Sequence, residues 1–394
     1  MSSASSTAWG QSNYDPAADS LAWLHTSPRS GEAVTSSLDL SLALRIADGI
    51  TQLPFATWNF GDSVAFDALV ETTEHTGDEQ WATFVRAWGR AWATRAKPFA
   101  RLDCTAPGHA LVRVAQRYGD QRLLTALTEL AHYLRSRPLL YDAYETWENA
   151  PLLEPYGAPP MAAADHAWLA TPPKCICIDC LHFDAPFFVR LGVATSNPEL
   201  IADGTNQAIA YINALQKPSG LFDHFRLAGS DVGFGPGWGR GQGWALLGML
   251  DIIADHPESA TDPQVATILA SARRQIEAMI PMQRSDGHWP VVVTEPTSGD
   301  EYSTTAFMAT GFLRAAELNV IPLSTVLPSV KRAAAALEGA FDAQGNLREV
   351  SAAVYSSTVA EHYRHVPRGF VVPWGQGPAL LAVWKIHEQL DETH

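Results

Sequence analysis

Cysteine is scarce in this 394-residue sequence: there are four, Cys104, Cys175, Cys177 and Cys180. Three of them crowd into one short stretch, unlike the spread spacing of a secreted disulfide framework, so reduced thiols in the cytoplasm are expected. Positive charge is the minority, with 27 Lys and Arg against 42 Asp and Glu and a formal net charge of -15. That balance argues against nucleic acid or an anionic membrane as partner. No uninterrupted apolar run is long enough to span a bilayer. The opening MSSASSTAWGQSNYDPAADS has neither the basic nor the apolar part of a signal peptide. Charged residues make up only 18% and hydrophobic ones 46%, the composition of a compact globular chain with room for a large core. A nucleotide loop is missing too: GFGPGWGRG approaches the dinucleotide spacing, but Trp238 stands where the last glycine should be.

Aromatic residues and glycine, by contrast, are plentiful. Thirteen tryptophans and ten tyrosines suit carbohydrate binding as well as packed helical cores. They meet glycine most densely in residues 233–249, GFGPGWGRGQGWALLGM, where a loop runs into an apolar helix. Arg240 and Trp244 fall one helical turn apart there, on one face. A guanidinium beside an indole plate can take the carboxylate and the apolar face of an acidic sugar. The plainer reading is a sharp turn between helices with a tryptophan docked in the core.

The rest of the chain repeats one theme, a polar or glycine-rich loop, an apolar helix, a short turn and an amphipathic helix. Helices are expected over 38–52, 58–74 and 79–95, then over 107–116 and 121–136, with Gly-Asp turns at Gly77 and Gly119. They resume over 181–192 and 199–216, 242–254 and 262–282, 304–318 and 322–340, and end with 378–390. Strand-like pieces are confined to 289–294 and 371–373. Residues 137–175 show no period, and an irregular stretch that long is more often functional than not. About six hairpins imply an all-α chain closing into an (α/α)6 barrel, with an open helical solenoid as the alternative. The expected layout is an irregular extension over 1–35 and a single catalytic barrel over 36–394, its glycine- and tryptophan-rich loops gathered at one mouth.

Two of those loops carry aspartates in apolar company, Asp103 and Asp179. A carboxylate buried at Asp179 has a raised pKa and can donate a proton near neutral pH, with Asp103 across the mouth completing an acid/base pair. The competing reading of Asp179 is an N-cap for the helix after it. Cys175, Cys177 and Cys180 with His166 and His182 resemble half of a zinc site, but core packing accounts for them with no metal and no cofactor. His224 and His288 are lone histidines beside aromatics, and His224 lies just upstream of the glycine-rich stretch.

Taken together, WNFGDSVAFDAL, the LDxxxPGxAL pattern at 102–111, IDCLHFDAPFFVRLG, RGQGW and WGQGPALLA resemble the unsaturated glycosyl hydrolases of glycoside hydrolase families 105 and 88. Family 105 is the better fit, and the likeness runs over about residues 55–385. The resemblance implies an (α/α)6 barrel that removes a 4,5-unsaturated uronic acid from the non-reducing end of lyase-generated oligosaccharides. It implies Asp179 as the general acid/base that protonates C4 and then takes a proton from the water attacking C5, with Asp103 as the second catalytic aspartate. It implies Arg240 and Trp244 as uronate contacts and His224 near the substrate; Trp238, Trp58 and His182 in the same motif loops join the expected substrate-binding set. The chain departs from the family at Cys180, His182 and Gln242 and at Ala106-Pro107-Gly108, which bears on the usual pectin-derived substrate. Asp184, one turn from Asp179, is expected to raise its pKa further if buried. An epimerase or isomerase on the same barrel, or a barrel that binds anionic oligosaccharide without turnover, are the competing functions.

Overall fold

A computed structural model describes residues 27–55, 61–94 and 108–391. The chain is mostly helical, and among the described residues twelve helices have ten or more residues. They are α1 (Leu40–Thr51), α2 (Asp62–Thr76), α3 (Gln80–Ala93), α4 (Gly108–Arg117), α5 (Gln121–Arg135) and α6 (Ala185–Thr195), then α7 (Pro198–Leu215), α8 (Gly239–Asp255), α9 (Pro263–Met279), α10 (Tyr302–Glu317), α11 (Leu323–Leu337) and α12 (Pro373–Asp391).

The two sets differ in sequence and therefore in place. Even-numbered helices are buried over most of their surface, α8 and α10 most completely: every residue from Gly239 to Ile253 of α8 and from Ser303 to Leu313 of α10 is buried. A helix without a polar face has to be surrounded. Odd-numbered helices bury one stripe, such as Leu42, Ala43, Ile46, Ala47 and Ile50 of α1 or Val265, Ile268, Ala272, Ile276 and Met279 of α9. Accordingly α2, α4, α6, α8, α10 and α12 each pack on the next, and α12 packs back on α2. Trp384 Nε1 ties that last contact by donating to Thr72 Oγ1 at 2.9 Å. The odd helices lie against them, joined by tight turns. Gly77 closes α2 with φ 71°, and the Asp120 side chain caps α5 through the Leu123 amide.

Several expected boundaries move, for physical reasons. The helix expected over 181–192 breaks into a single turn, Cys180–Phe183, and α6, because Pro186 has no N–H to continue the ladder. Helix α8 starts at Gly239, which brings Arg240 inside its first turn. Helix α12 starts at Pro373 and carries Pro378 in its interior. Gln376 anchors that first turn, its side chain bonded to the Leu347 amide and the Gly345 carbonyl. Residues 289–294 and 371–373 form no strand and make only isolated bridges or single bonds, such as Trp238 with Val292 and Val371 N with Pro28 O. The strands are instead Leu139–Leu140 with Ala143–Tyr144, and Cys175–Cys177 with Phe225–Leu227, both antiparallel. Residues 137–175, which lack a period, thus hold a hairpin, the helix Ala163–Ala170 and the first strand of the second pair. Residues 27–36 are irregular and lie along the C-terminal half, where Gly31 N donates to Asp342 Oδ2 and Val34 N to Phe341 O. Among the described residues no helix is long and apolar enough to cross a membrane.

Candidate active site

Asp179 sits where the strand Cys175–Cys177 turns into the helix Cys180–Phe183. That strand is held by its partner, and the pairing runs one step further through Ile178 N donating to His224 O at 2.8 Å. The Asp179 side chain caps no helix amide, so its carboxylate is not engaged as the N-cap. The residue is 3% exposed, and burial pushes its pKa up to about 6. Three influences oppose that rise: the Cys177 thiol, which donates to Oδ2 at 3.0 Å, the charge of Arg240 and the residue's own backbone amide. Asp184 is also buried, but its charge acts on Tyr144 and is not among the influences on Asp179, so the expected like-charge contribution is absent.

His224 approaches the same oxygen, its Nε2 3.7 Å from Asp179 Oδ2. Its Nδ1 is 2.7 Å from the Tyr363 hydroxyl. Burial, with His362 and Arg240 adding to it, holds His224 well below the usual imidazole range, so the ring is neutral. The Trp238 ring covers it at 4.2 Å between centroids. Gly235 lets the chain pass here: its φ is 67°, and a Cβ would strike the Tyr363 hydroxyl and the His224 Cβ.

Arg240 is fully buried and gripped by loops that lead into α10 and α12. Its Nη1 donates to Ser351 Oγ at 2.6 Å and Glu301 Oε2 at 3.3 Å, and Nη2 donates to Ala352 O at 3.0 Å. Glu301 Oε2 also accepts from the Ser351 amide, and Trp374 Nε1 donates to Ser351 O, which closes the clamp. The indole beside the guanidinium is Trp238, with Cζ 5.1 Å from the ring, and not Trp244 as the helical spacing suggested. Trp244 packs below, against His182, Phe183 and Phe307. Glu301, Ser351 and Tyr363 are the members of this site that sequence reasoning did not single out. For Glu301 a signal existed, an acidic pair with Asp300 in a helix-leading loop; for Ser351 and Tyr363 there was none.

His182 turns away from Asp179. Its ring meets His109 edge to face, and its Nε2 is 3.9 Å from Asp251 Oδ2. Burial pushes its pKa down to about 3. It lines a separate cavity of about 210 Å³ with Asp67, Arg113, Arg190, Asp251 and Arg314. The metal cluster drawn from Cys175, Cys177, Cys180, His166 and His182 does not assemble: Cys180 Sγ faces Thr146 Oγ1 at 3.5 Å and His166 is exposed. His288 stacks on Tyr302 and reaches Thr305 Oγ1 at 3.2 Å, a satisfied core histidine. Asp103 and Trp58 lie outside the described residues.

Known proteins resemble this chain in sequence or in fold. The unsaturated rhamnogalacturonyl hydrolase YesR of Bacillus subtilis strain 168 is 27% identical over 351 residues, 89% of this chain and 93% of its own. The C. acetobutylicum ATCC 824 glycoside hydrolase from family 105 superposes with a TM-score of 0.73 at 18% identity, over 89% of this chain and 99% of that one. The unsaturated glucuronyl hydrolase of Bacillus sp. GL1, responsible for the degradation of glycosaminoglycan, gives a TM-score of 0.61 at 18% identity, over 95% of both chains. These structural likenesses establish a common fold. The sequence profile of Glycosyl Hydrolase Family 88 matches residues 47–390, and the chain is therefore a glycoside hydrolase belonging to Glycosyl Hydrolase Family 88.

Proposed function

We propose that this enzyme removes a 4,5-unsaturated uronic acid from the non-reducing end of oligosaccharides left by polysaccharide lyases, with Asp179 as general acid and base. The observation that carries the assignment is a buried carboxylate with a pKa of about 6 at a strand-to-helix turn, faced by a thiol and a neutral imidazole and unpaired by any cation. Such a group holds a proton on a useful fraction of molecules near neutral pH and can give it to a carbon. Protonation at C4 of the enol ether leaves positive charge at C5 and the ring oxygen. The carboxylate so formed then accepts a proton from the water that attacks C5. The product is a hemiketal that opens and releases the aglycone.

Arg240 supplies a fixed positive field to the same place, since its charge already acts on Asp179. In this reading it attracts the uronate carboxylate without leaving its clamp, and Trp238 and His224 form the wall against the sugar. Asp103, as second catalytic aspartate, and Trp58, as a sugar contact, belong to the reading through the family resemblance alone, and Trp244 supports the wall from below. The architecture that accommodates this is an (α/α)6 barrel over 36–394, with the even helices inside and residues 1–35 as an extension. The ring of helix contacts supports it. The buried reduced thiols Cys175, Cys177 and Cys180 fit a reducing compartment, the cytoplasm. An unsaturated rhamnogalacturonide, the substrate class in YesR's name, is the first to try.

The test is ultraviolet absorbance with purified protein and a panel of lyase-generated unsaturated oligosaccharides. Hydration destroys the C4=C5 chromophore, so absorbance decays on the true substrate. A folded protein that leaves every panel member unchanged would sink the assignment.

A further inference from the structure

Cys177 is a residue the hydrolase reading does not need, yet its sulfur touches the proton donor. The Cys177 thiol, the Asp179 carboxylate and a His224 ring nitrogen offer one ligand atom each, all within 4.8 Å of one another, and all three residues are buried. Sγ lies 3.0 Å from Asp179 Oδ2, and His224 Nε2 lies 3.7 Å from the same oxygen. Ligand atoms of a tetrahedral zinc ion, with bonds of about 2.0–2.3 Å, stand about 3.3–3.6 Å apart. The two measured separations bracket that value. We propose that Cys177, Asp179 and His224 form a site for one thiophilic divalent cation of the zinc type, whose binding occupies the proton-donor carboxylate and silences the enzyme.

The scaffold favours this. Cys177 lies on one strand opposite Phe225 on the other, and Ile178 N donates to His224 O, so two donors are set by sheet register and the third by the turn that follows. His224 has the outer partner that ligating histidines usually have, the Tyr363 hydroxyl at Nδ1. With that hydroxyl accepting from Nδ1–H, the lone pair on Nε2 faces the carboxylate. Thiolate, imidazole and carboxylate are the donor classes zinc takes. A thiolate and a carboxylate carry two negative charges, which a divalent ion neutralises, while the nearby Arg240 is already paired with Glu301. On binding, the S–H bond and any carboxyl O–H are replaced by metal bonds, and the protons leave to solvent.

A second set, His109, His182 and Asp251, has a similar spread of ligand atoms but a different neighbourhood. Arg314 holds Asp251 Oδ1 at 2.7 Å and Arg190 lies 3.2 Å from His109 Nδ1, so protein cations already fill that space. The site around Asp179 is the one that is short of positive charge.

Competition between the full-length protein and a chromophoric zinc chelator tests the site, using wild type, Cys177→Ser, His224→Gln and Cys180→Ser. One zinc ion per chain is expected for wild type and Cys180→Ser, with affinity falling about tenfold or more in the other two. Cobalt gives a second readout that survives a poorly folded His224→Gln. The wild-type cobalt form should show thiolate-to-metal charge transfer, and Cys177→Ser, which keeps the side-chain shape, should not. Zinc should also stop turnover, reversibly on adding chelator; this arm alone rests on the hydrolase assignment. Zinc affinity unchanged by Cys177→Ser, or no stoichiometric binding in wild type, overturns the site. Binding without an active substrate in the panel would leave the site standing and overturn the hydrolase reading instead.

Discussion

Two buried aspartates of this molecule have opposite fates. Asp67, on α2, meets His109 Nδ1 at 3.0 Å, Arg113 at 3.2 Å and Arg190 at 3.6 Å. Burial alone would raise its pKa, but these partners hold its carboxyl well below the usual carboxylate range. Asp179 is as deeply enclosed, and what opposes the rise is a thiol, its own backbone amide and a guanidinium already paired with Glu301; its pKa rises to about 6. Burial by itself therefore does not make a proton donor. What separates the two is whether the fold supplies a cation within reach. Around Asp67, Arg113, Arg190 and Arg314 interleave with Glu71, Asp251 and Asp255, a network that holds the far parts of the even helices together.

The contrast can be broken first at Asp179. Asp179→Asn keeps the shape and removes the titrating proton, so turnover in the absorbance assay should fall by about 10²–10⁴-fold while oligosaccharide binding persists. Activity within threefold of wild type would return Asp179 to a structural role. Next in size is Asp67→Asn, which leaves Arg113 and Arg190 short of a buried partner. It should cost about 3–5 kcal/mol of stability in denaturant unfolding, with turnover per folded molecule retained.

Asp179→Asn should also do the reverse to stability. A carboxyl whose folded pKa is raised contributes stability below its unfolded value, and that contribution is lost as pH rises from about 4 through about 6. At pH 7–8 wild type therefore bears the cost of a buried charge, and Asp179→Asn should melt higher, by up to about 3 kcal/mol at pH 7 and by little at pH 4. Asp67 has the opposite sign: its stabilisation is present at neutral pH and disappears as pH falls below about 4.

The smallest effect lies at Cys177. The rate should decline as pH rises through about 6, as the donor form of Asp179 is lost. Cys177→Ala removes a hydrogen bond to the charged form, so that limb should move to higher pH, raising the rate at pH 7 by a few-fold. A pH–rate profile that stays in place would show that the thiol does not tune the donor.

Helices were the legible part of this chain, because a 3.6-residue period survives in each odd helix as a stripe and α8 and α10 carry long runs of apolar and small residues. Asp179 was legible for a related reason, a charge with no local partner among Ile178, Cys180 and Leu181. Boundaries that depended on distant contacts were not. Pro378 read as a helix start, yet Gln376, bonded to Leu347 and Gly345, carries α12 back to Pro373. The Arg240 clamp draws on Glu301 and Ser351, 61 and 111 residues away, and no spacing rule reaches that far. Trp238 rather than Trp244 became the partner of Arg240 because α8 begins at Gly239, leaving Trp238 as its cap.

The contact between α12 and α2 has a consequence for how the chain is made. Trp384 and Thr72 are 312 residues apart, so at about 5–20 residues per second a ribosome needs roughly 15 to 60 s between them. Throughout that interval the apolar side of α2 that α12 will cover has no partner. Closure joins positions 312 residues apart, and such distant pairing folds slowly. Chains stalled or cut before Trp384 should therefore be recognised by chaperones or aggregate, even though every residue of the Asp179 site has already been built.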